Sequence, residues 1–189
     1  VRDPLLGKSG IGHTRWATHG EPSVNNAHPH MTAEVAVVHN GIIENFQELR
    51  KYLQKRGIQH TTDTDTETIA LLTQAMIEDG HEPIEAAKKT IDKLTGAFAL
   101  CFLFEGHNDL MVIARKGSPL AIGIGKGEMF VGSDAIALSP MTNKISYLEE
   151  GDFAVLTRAN VQVWDHSGAL VEREIKTINI ENTQVQKDG

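Results

Sequence analysis

The sequence has 189 residues, with 18 lysines and arginines against 25 aspartates and glutamates; the formal net charge of −7 leaves no basic face for a nucleic acid or an acidic membrane. A content of 40% hydrophobic and 23% charged residues is that of an ordinary globular domain. The single cysteine excludes an internal disulfide and any cysteine-rich metal cluster and suits a reducing cytosol, and the longest apolar run, Ala97 to Phe104, is far shorter than the ~20 residues of a membrane span.

The chain opens on Val1-Arg2-Asp3-Pro4, with neither an initiator methionine nor a signal-peptide pattern, and so reads as a processed chain or a piece of a longer one. Gly10 to Trp16 reads as a short strand running into a loop, and Ala33 to Asn40 as a β-branched strand bounded by Asn40-Gly41. Asn45 with Glu48 forms a capping-box pattern that opens a helix through Arg56, with Phe46, Leu49 and Leu53 on one face and Gly57 just past its end. Thr64-Asp65-Thr66-Glu67 repeats the start signal and predicts a second helix to about Asp79, closed by Gly80. A third helix begins at Pro83 and carries Ile84, Ala87, Ile91 and Leu94 to Gly96.

Beyond Gly96 the apolar period changes from 3.6 to 2. Short strands are predicted over Ala97–Glu105, Leu110–Arg115, Leu120–Ile124, Met129–Gly132, Ile145–Glu149, Phe153–Thr157, Val161–Trp164 and Ala169–Ile175, with a short helix after Ser133. Helices gathered between strand–turn–strand units predict an α+β fold with antiparallel sheets. No linker divides residues 1–178, which read as one domain, and the polar residues 179–189 read as a tail or the start of a linker.

Several motifs invite a chemical reading. Gly7-Lys8-Ser9 lacks the first glycine of a phosphate loop, and Gly123-Ile124-Gly125-Lys126-Gly127 lies between two short strands, where a hairpin turn is the simpler reading. His13, His19, His28, His30 and His39 crowd the first forty residues and are either zinc ligands or hydrogen-bonded loop histidines. None follows the helical i, i+4 spacing and no cysteine is near, which favours the second. Cys101, inside an apolar strand, is starved of thiolate and reads as core. Arg15 beside Trp16 is either a stacked surface pair or a guanidinium fork for a carboxylate. Asn40-Gly41 is either a two-residue hairpin turn or an oxyanion hole built from a side-chain amide and a glycine N–H. Asp65 is either a helix cap or the partner of an ammonium group.

Read in series, Gly12-His13-Thr14-Arg15-Trp16-Ala17-Thr18-His19-Gly20, Asn26-Ala27-His28-Pro29-His30, His39-Asn40-Gly41-Ile42-Ile43-Glu44-Asn45 and Thr64-Asp65-Thr66-Glu67 resemble the glutaminase domains of the glucosamine-6-phosphate synthase family of class II glutamine amidotransferases. The resemblance continues through Arg115-Lys116-Gly117-Ser118-Pro119-Leu120, Ser133-Asp134 and Leu148-Glu149-Glu150-Gly151-Asp152 and covers essentially the whole chain. It implies an N-terminal-nucleophile hydrolase fold, an αββα sandwich of two antiparallel sheets between helical layers. It also implies roles: Arg15 for the glutamine α-carboxylate, Asp65 for its α-ammonium, and the Thr18-His19-Gly20 loop for the amino-acid end. Asn40 and Gly41 would hold the oxyanion, and Trp16 would lie by the exit through which ammonia leaves. No cofactor or metal is implied.

The partners implied are glutamine and the sugar isomerase domains of a longer chain, which carry the fructose 6-phosphate site, in a homo-oligomer. The family's nucleophile is an N-terminal cysteine whose α-amino group is the base. Residue 1 here is Val, so the chain alone is expected to be inactive. Two further readings remain: a non-catalytic amino-acid-binding module, and a glutaminase of the phosphoribosyl-pyrophosphate amidotransferase kind, which usually has Tyr-Ser where Trp16-Ala17 stand.

Overall fold

The structure is a computed structural model that describes residues 7–15 and 19–178. Trp16, Thr18 and the proposed tail 179–189 lie outside the described residues. The elements are β1 (His30–Met31), β2 (Val35–Ile43), α1 (Phe46–Lys55), α2 (Asp65–Glu78), α3 (Pro83–Ile91), β3 (Gly96–Phe104), β4 (Met111–Lys116), β5 (Ala121–Ile124), β6 (Met129–Gly132), α4 (Ala135–Leu138), β7 (Lys144–Tyr147), β8 (Phe153–Leu156), β9 (Val161–Trp164), β10 (Leu170–Val171) and β11 (Ile175–Thr177). They build a seven-stranded sheet in the order β1-β2-β3-β4-β8-β9-β10 and a four-stranded sheet in the order β11-β7-β5-β6. Every pairing between these strands is antiparallel.

The strand period explains the layers. Phe98, Leu100, Phe102 and Phe104 of β3 point to the side where α1, α2 and α3 bring Leu53, Ile69, Leu72 and Ala87. Ala99 and Cys101 of the same strand point the other way, onto Ile122, Leu148 and Leu156 between the two sheets. A third cluster, Ala121, Ala135, Leu138 and Ile145, seals α4 onto the outer side of the small sheet. The order is therefore helices, large sheet, small sheet, helix, as the αββα reading requires. β3 is buried on both faces, which accounts for its unbroken apolar sequence.

Five local readings are corrected. Residues 10–15 form no strand and pair with no ladder among the described residues. β2 runs through Asn40-Gly41 to Ile43, so those two residues are not a hairpin turn. Asn45 does not cap α1 with its side chain; that amide donates to the Lys93 carbonyl and accepts from the Thr95 N–H, tying the start of α1 to the approach of β3. α3 stops at Ile91, and the Lys93 and Leu94 N–H groups close turns onto Thr90 and Ile91. The stretch Ala169–Ile175 divides between the sheets as β10 and β11, with Arg173 at the break gripping Asp152 through Nε and Nη2 at 2.8 and 2.7 Å.

Gly41 has a backbone requirement of its own. Its φ is +123°, and a Cβ there would overlap the Ala97 carbonyl oxygen. Gly96, two positions along the same ladder with φ +124°, would collide likewise with the Ile42 carbonyl. The two strands approach each other here as closely as only a glycine at each of these positions permits.

Candidate functional site

The C-terminal end of β2, the first turn of α2 and the loop before residue 20 converge. Thr64 caps α2, its hydroxyl accepting the Glu67 N–H at 3.3 Å. The Glu67 carboxylate turns back and accepts four bonds of 2.8 Å, from the N–H and hydroxyl of both Thr61 and Thr62. Those bonds hold the carboxyl below its usual range even though burial pushes the other way. Buried Arg50 of α1 donates from Nη2 to the Thr62 and Thr64 carbonyls at 2.9 and 2.8 Å and from Nε to Thr68 Oγ1 at 3.2 Å, its guanidinium 5.1 Å over the Phe46 ring. This framework fixes Asp65.

Asp65 is 3% exposed. Its Oδ2 accepts the Ile43 N–H at 2.8 Å, and the Nδ1 atoms of His19 and His39 each stand 3.9 Å from the same oxygen. Asp65 is thus the first residue of α2 and not its cap. Arg15 adopts a left-handed backbone, φ +61°. Its Nη2 donates to the His19 and Gly20 carbonyls at 2.8 and 3.1 Å, whereas Nε is buried and has no partner among the described residues. Through His19, the Arg15 guanidinium and the Asp65 carboxylate belong to one neighbourhood. Fifty residues apart in sequence, they share no local reason to meet.

Asn40 is exposed, and its Oδ1 lies 2.7 Å from His13 Nε2. His39, its neighbour on β2, points the opposite way and is 4% exposed. Thr66 Oγ1 joins His39 Nδ1 at 3.1 Å and His28 Nε2 at 2.9 Å, and Thr64 Oγ1 joins His30 Nε2 at 2.9 Å. Burial lowers His28 to about 3, helped by the charges of neighbouring histidines and Arg15. Burial also lowers His39 to about 4 against the pull of Asp65, and lowers His30 against that of Glu67. These are neutral, hydrogen-bonded imidazoles. Among the described residues no three His, Cys, Asp or Glu side chains converge on a metal position.

A cavity of about 490 Å³ opens beside Asn40 and runs between the sheets, past His13, Met111, Leu120 and Ser133 to Cys101. Burial pushes the Cys101 thiol up to about 12, so it carries no useful thiolate near neutral pH. A larger cavity of about 650 Å³ lies on the far side, under α3 against Phe98 and Trp164, and holds none of the site residues. Gly125 donates to the Glu128 carbonyl across a hairpin turn, so the glycines around it do not form a phosphate loop. Arg115 donates to the Ser118 and Leu148 carbonyls, and the Glu150 carboxylate accepts the Gly117 N–H, so the two motifs at 115–120 and 148–152 clamp each other.

The described candidate residues Arg15, His19, Gly20, Asn40, Gly41 and Asp65 thus gather at the end of β2. The sequence reading missed Arg50, Thr66 and the Ile43 N–H. An arginine next to Leu49 on the apolar face of α1 was the available signal for the first; nothing local marks the others.

Residues 13–140 match the family of the glutamine amidotransferase domain. A glutamine–fructose-6-phosphate aminotransferase (isomerizing) of Bradyrhizobium diazoefficiens is 59% identical over 172 residues, 91% of this chain and 28% of that protein. The protein of the same name from Brucella abortus is 55% identical over 98% of this chain and 30% of its own length. This chain therefore spans about three-tenths of these relatives. Among solved structures, an allosteric regulatory enzyme of purine biosynthesis matches with a TM-score of 0.68 and 26% identity over 83% of this chain and 35% of its own. The phosphoribosylpyrophosphate amidotransferase of B. subtilis matches in fold, with a TM-score of 0.67 at 24% identity over 84% of this chain and 35% of its own.

Proposed function

The chain belongs to the glutamine amidotransferase domain family, and from that premise we propose that it is the glutamine-binding, ammonia-releasing domain of a cytosolic glutamine–fructose-6-phosphate aminotransferase. The observation that carries the reading is the meeting of Arg15 and Asp65 around His19, beside Asn40-Gly41. An α-amino acid presents a carboxylate and an ammonium about one residue apart, and this neighbourhood offers a guanidinium and a buried carboxylate to match. Arg15 holds the carboxylate with donors it does not spend on the loop, Asp65 takes the ammonium with the oxygen that Ile43 leaves free, and His19 and Gly20 shape the wall between them. The amide end of glutamine then faces Asn40, whose Nδ2–H₂, with the Gly41 N–H, stabilises the oxyanion that forms when a thiolate attacks the carbonyl carbon. Collapse of that intermediate expels ammonia toward the sugar isomerase domains, where fructose 6-phosphate receives it, and water releases glutamate. The partners of the domain are accordingly glutamine, those sugar domains and further copies of the longer chain.

The neighbouring reading, a domain serving a phosphoribosyl acceptor, is less well supported, because the relatives at 55–59% identity carry the fructose 6-phosphate name. The test is steady-state glutaminase kinetics in the full-length protein that carries this sequence. Arg15→Lys and Asp65→Asn should each raise the KM for glutamine, and the two effects should be non-additive, because both groups hold the same ligand end. An unchanged KM in both variants would sink the assignment.

A further inference from the structure

We propose that His13 is a positioning residue that fixes which end of the Asn40 amide faces the reacting carbonyl. The proposal rests on the reading of Asn40 as an oxyanion donor. A side-chain amide has two ends of nearly the same shape, and only its NH₂ end stabilises an anion; turned over, its oxygen would repel the charge. Asn40 is exposed on β2, so packing does not choose the end. A chain of hydrogen bonds does.

That chain begins at a group whose direction cannot be reversed. The Arg15 backbone N–H, which only donates, lies 2.8 Å from His13 Nδ1. Nδ1 must therefore accept, and in a neutral imidazole the proton then sits on Nε2. Nε2 is 2.7 Å from the Asn40 side chain, and as a donor it selects the amide oxygen. The NH₂ end is left to face outward, beside the mouth of the cavity between the sheets.

The contact with Nδ1 depends on the left-handed backbone of Arg15, and the His13 ring is steadied edge-on against His28 at 4.3 Å, itself held by Thr66. Arg15 thereby serves both ends of the substrate: its side chain faces the carboxylate, and its N–H sets the polarity of the oxyanion donor Asn40 through His13, two residues before Arg15 in sequence.

The test uses glutaminase kinetics in the full-length protein with four variants. His13→Phe keeps the ring and removes both nitrogens; its kcat should fall by roughly 10- to 100-fold, less than the roughly 10²–10³ expected for Asn40→Ala, with KM for glutamine little changed. His13→Gln, whose amide can still donate from the position of Nε2, should recover most of the lost kcat. Combining His13→Phe with Asn40→Ala should cost nothing beyond Asn40→Ala alone, because there is no amide left to orient. Equal loss from His13→Phe in both backgrounds, or a raised KM at unchanged kcat, would overturn the proposal. If His13→Phe does not fold, the comparison passes to His13→Gln and His13→Asn: equal kcat in the two would overturn it, since only Gln reaches Asn40. A full-length wild type without glutaminase activity would instead overturn the proposed function.

Discussion

In the proposed site Asp65 has two jobs for its two oxygens: Oδ2 accepts the Ile43 N–H, which leaves Oδ1 for the ammonium of the ligand. A charged hydrogen bond to such a group is worth about 1.5–3 kcal/mol, so Asp65→Asn should raise the KM for glutamine roughly 10- to 100-fold, while the retained amide oxygen can still accept from Ile43. The histidines behind it make a different prediction, in pH. His39 and His28 ordinarily titrate near 6.5 but are lowered to about 4 and about 3 in the fold. The unfolded chain therefore takes up these protons first, so stability is complete above about pH 6.5 and is lost as pH falls toward the folded values. For buried His39 the whole effect is on the order of 3 kcal/mol. A urea-unfolding series should show the midpoint falling between pH 6.5 and about 5, before carboxylates such as Glu67 contribute, and His39→Gln should flatten that slope; an unchanged midpoint over this window would contradict it. At this scale the sequence displayed the chemistry of Arg15 and Asp65 but not their meeting. It displayed the histidines too, yet their partners Thr64 and Thr66 read only as the cap and first turn of α2, with no hint that imidazoles meet them.

At the level of elements, the site depends on how α1 anchors the start of α2. Arg50 ties the Thr62 and Thr64 carbonyls, and Arg50→Met fills similar volume while leaving both without that donor. It should destabilise the domain by roughly 2–4 kcal/mol in thermal or urea unfolding and raise the KM for glutamine through a displaced Asp65. Loss of stability with an unchanged KM would confine Arg50 to a structural role. Gly41→Ala strains a left-handed backbone and drives Cβ into the Ala97 carbonyl, so it should cost roughly 1–3 kcal/mol or more and lower the melting temperature by several degrees. A variant as stable as the wild type would show that β2 and β3 can separate there. The strands and helices themselves were largely legible, since period, caps and turn residues are local signals. Asn40-Gly41 was ambiguous for a physical reason: the pair satisfies a hairpin rule, whereas its glycine is demanded by the close approach of the Ala97 and Phe98 backbone, far along the sequence on β3. The division of Ala169–Ile175 was illegible because Arg173, which marks the break, answers to Asp152 and not to its own neighbours.

Over the whole molecule, the antiparallel α+β class was readable from period and turn residues, whereas the layered order came only with the family resemblance, because nothing in the apolar run of β3 says which neighbour lies on which side. The 189 residues contain one thiol, and Cys101 is held as the neutral thiol inside the sandwich. The chain assayed alone should accordingly release no ammonia from glutamine above background; release that scales with protein and is blocked by alkylating Cys101 would overturn that assignment. The double burial of β3 has one more consequence. β2 pairs with β3 along its entire length, whereas residues 10–15 join no sheet and are held by side chains. Amide protons on β3 can exchange with solvent only when both cores open together, which ties their exchange to global unfolding, while residues 10–15, outside both sheets, can open locally. The two halves of the proposed glutamine site therefore sit at opposite ends of the domain's scale of local stability: Asn40 and Gly41 belong to its last segment to open, and Arg15 to one of its first.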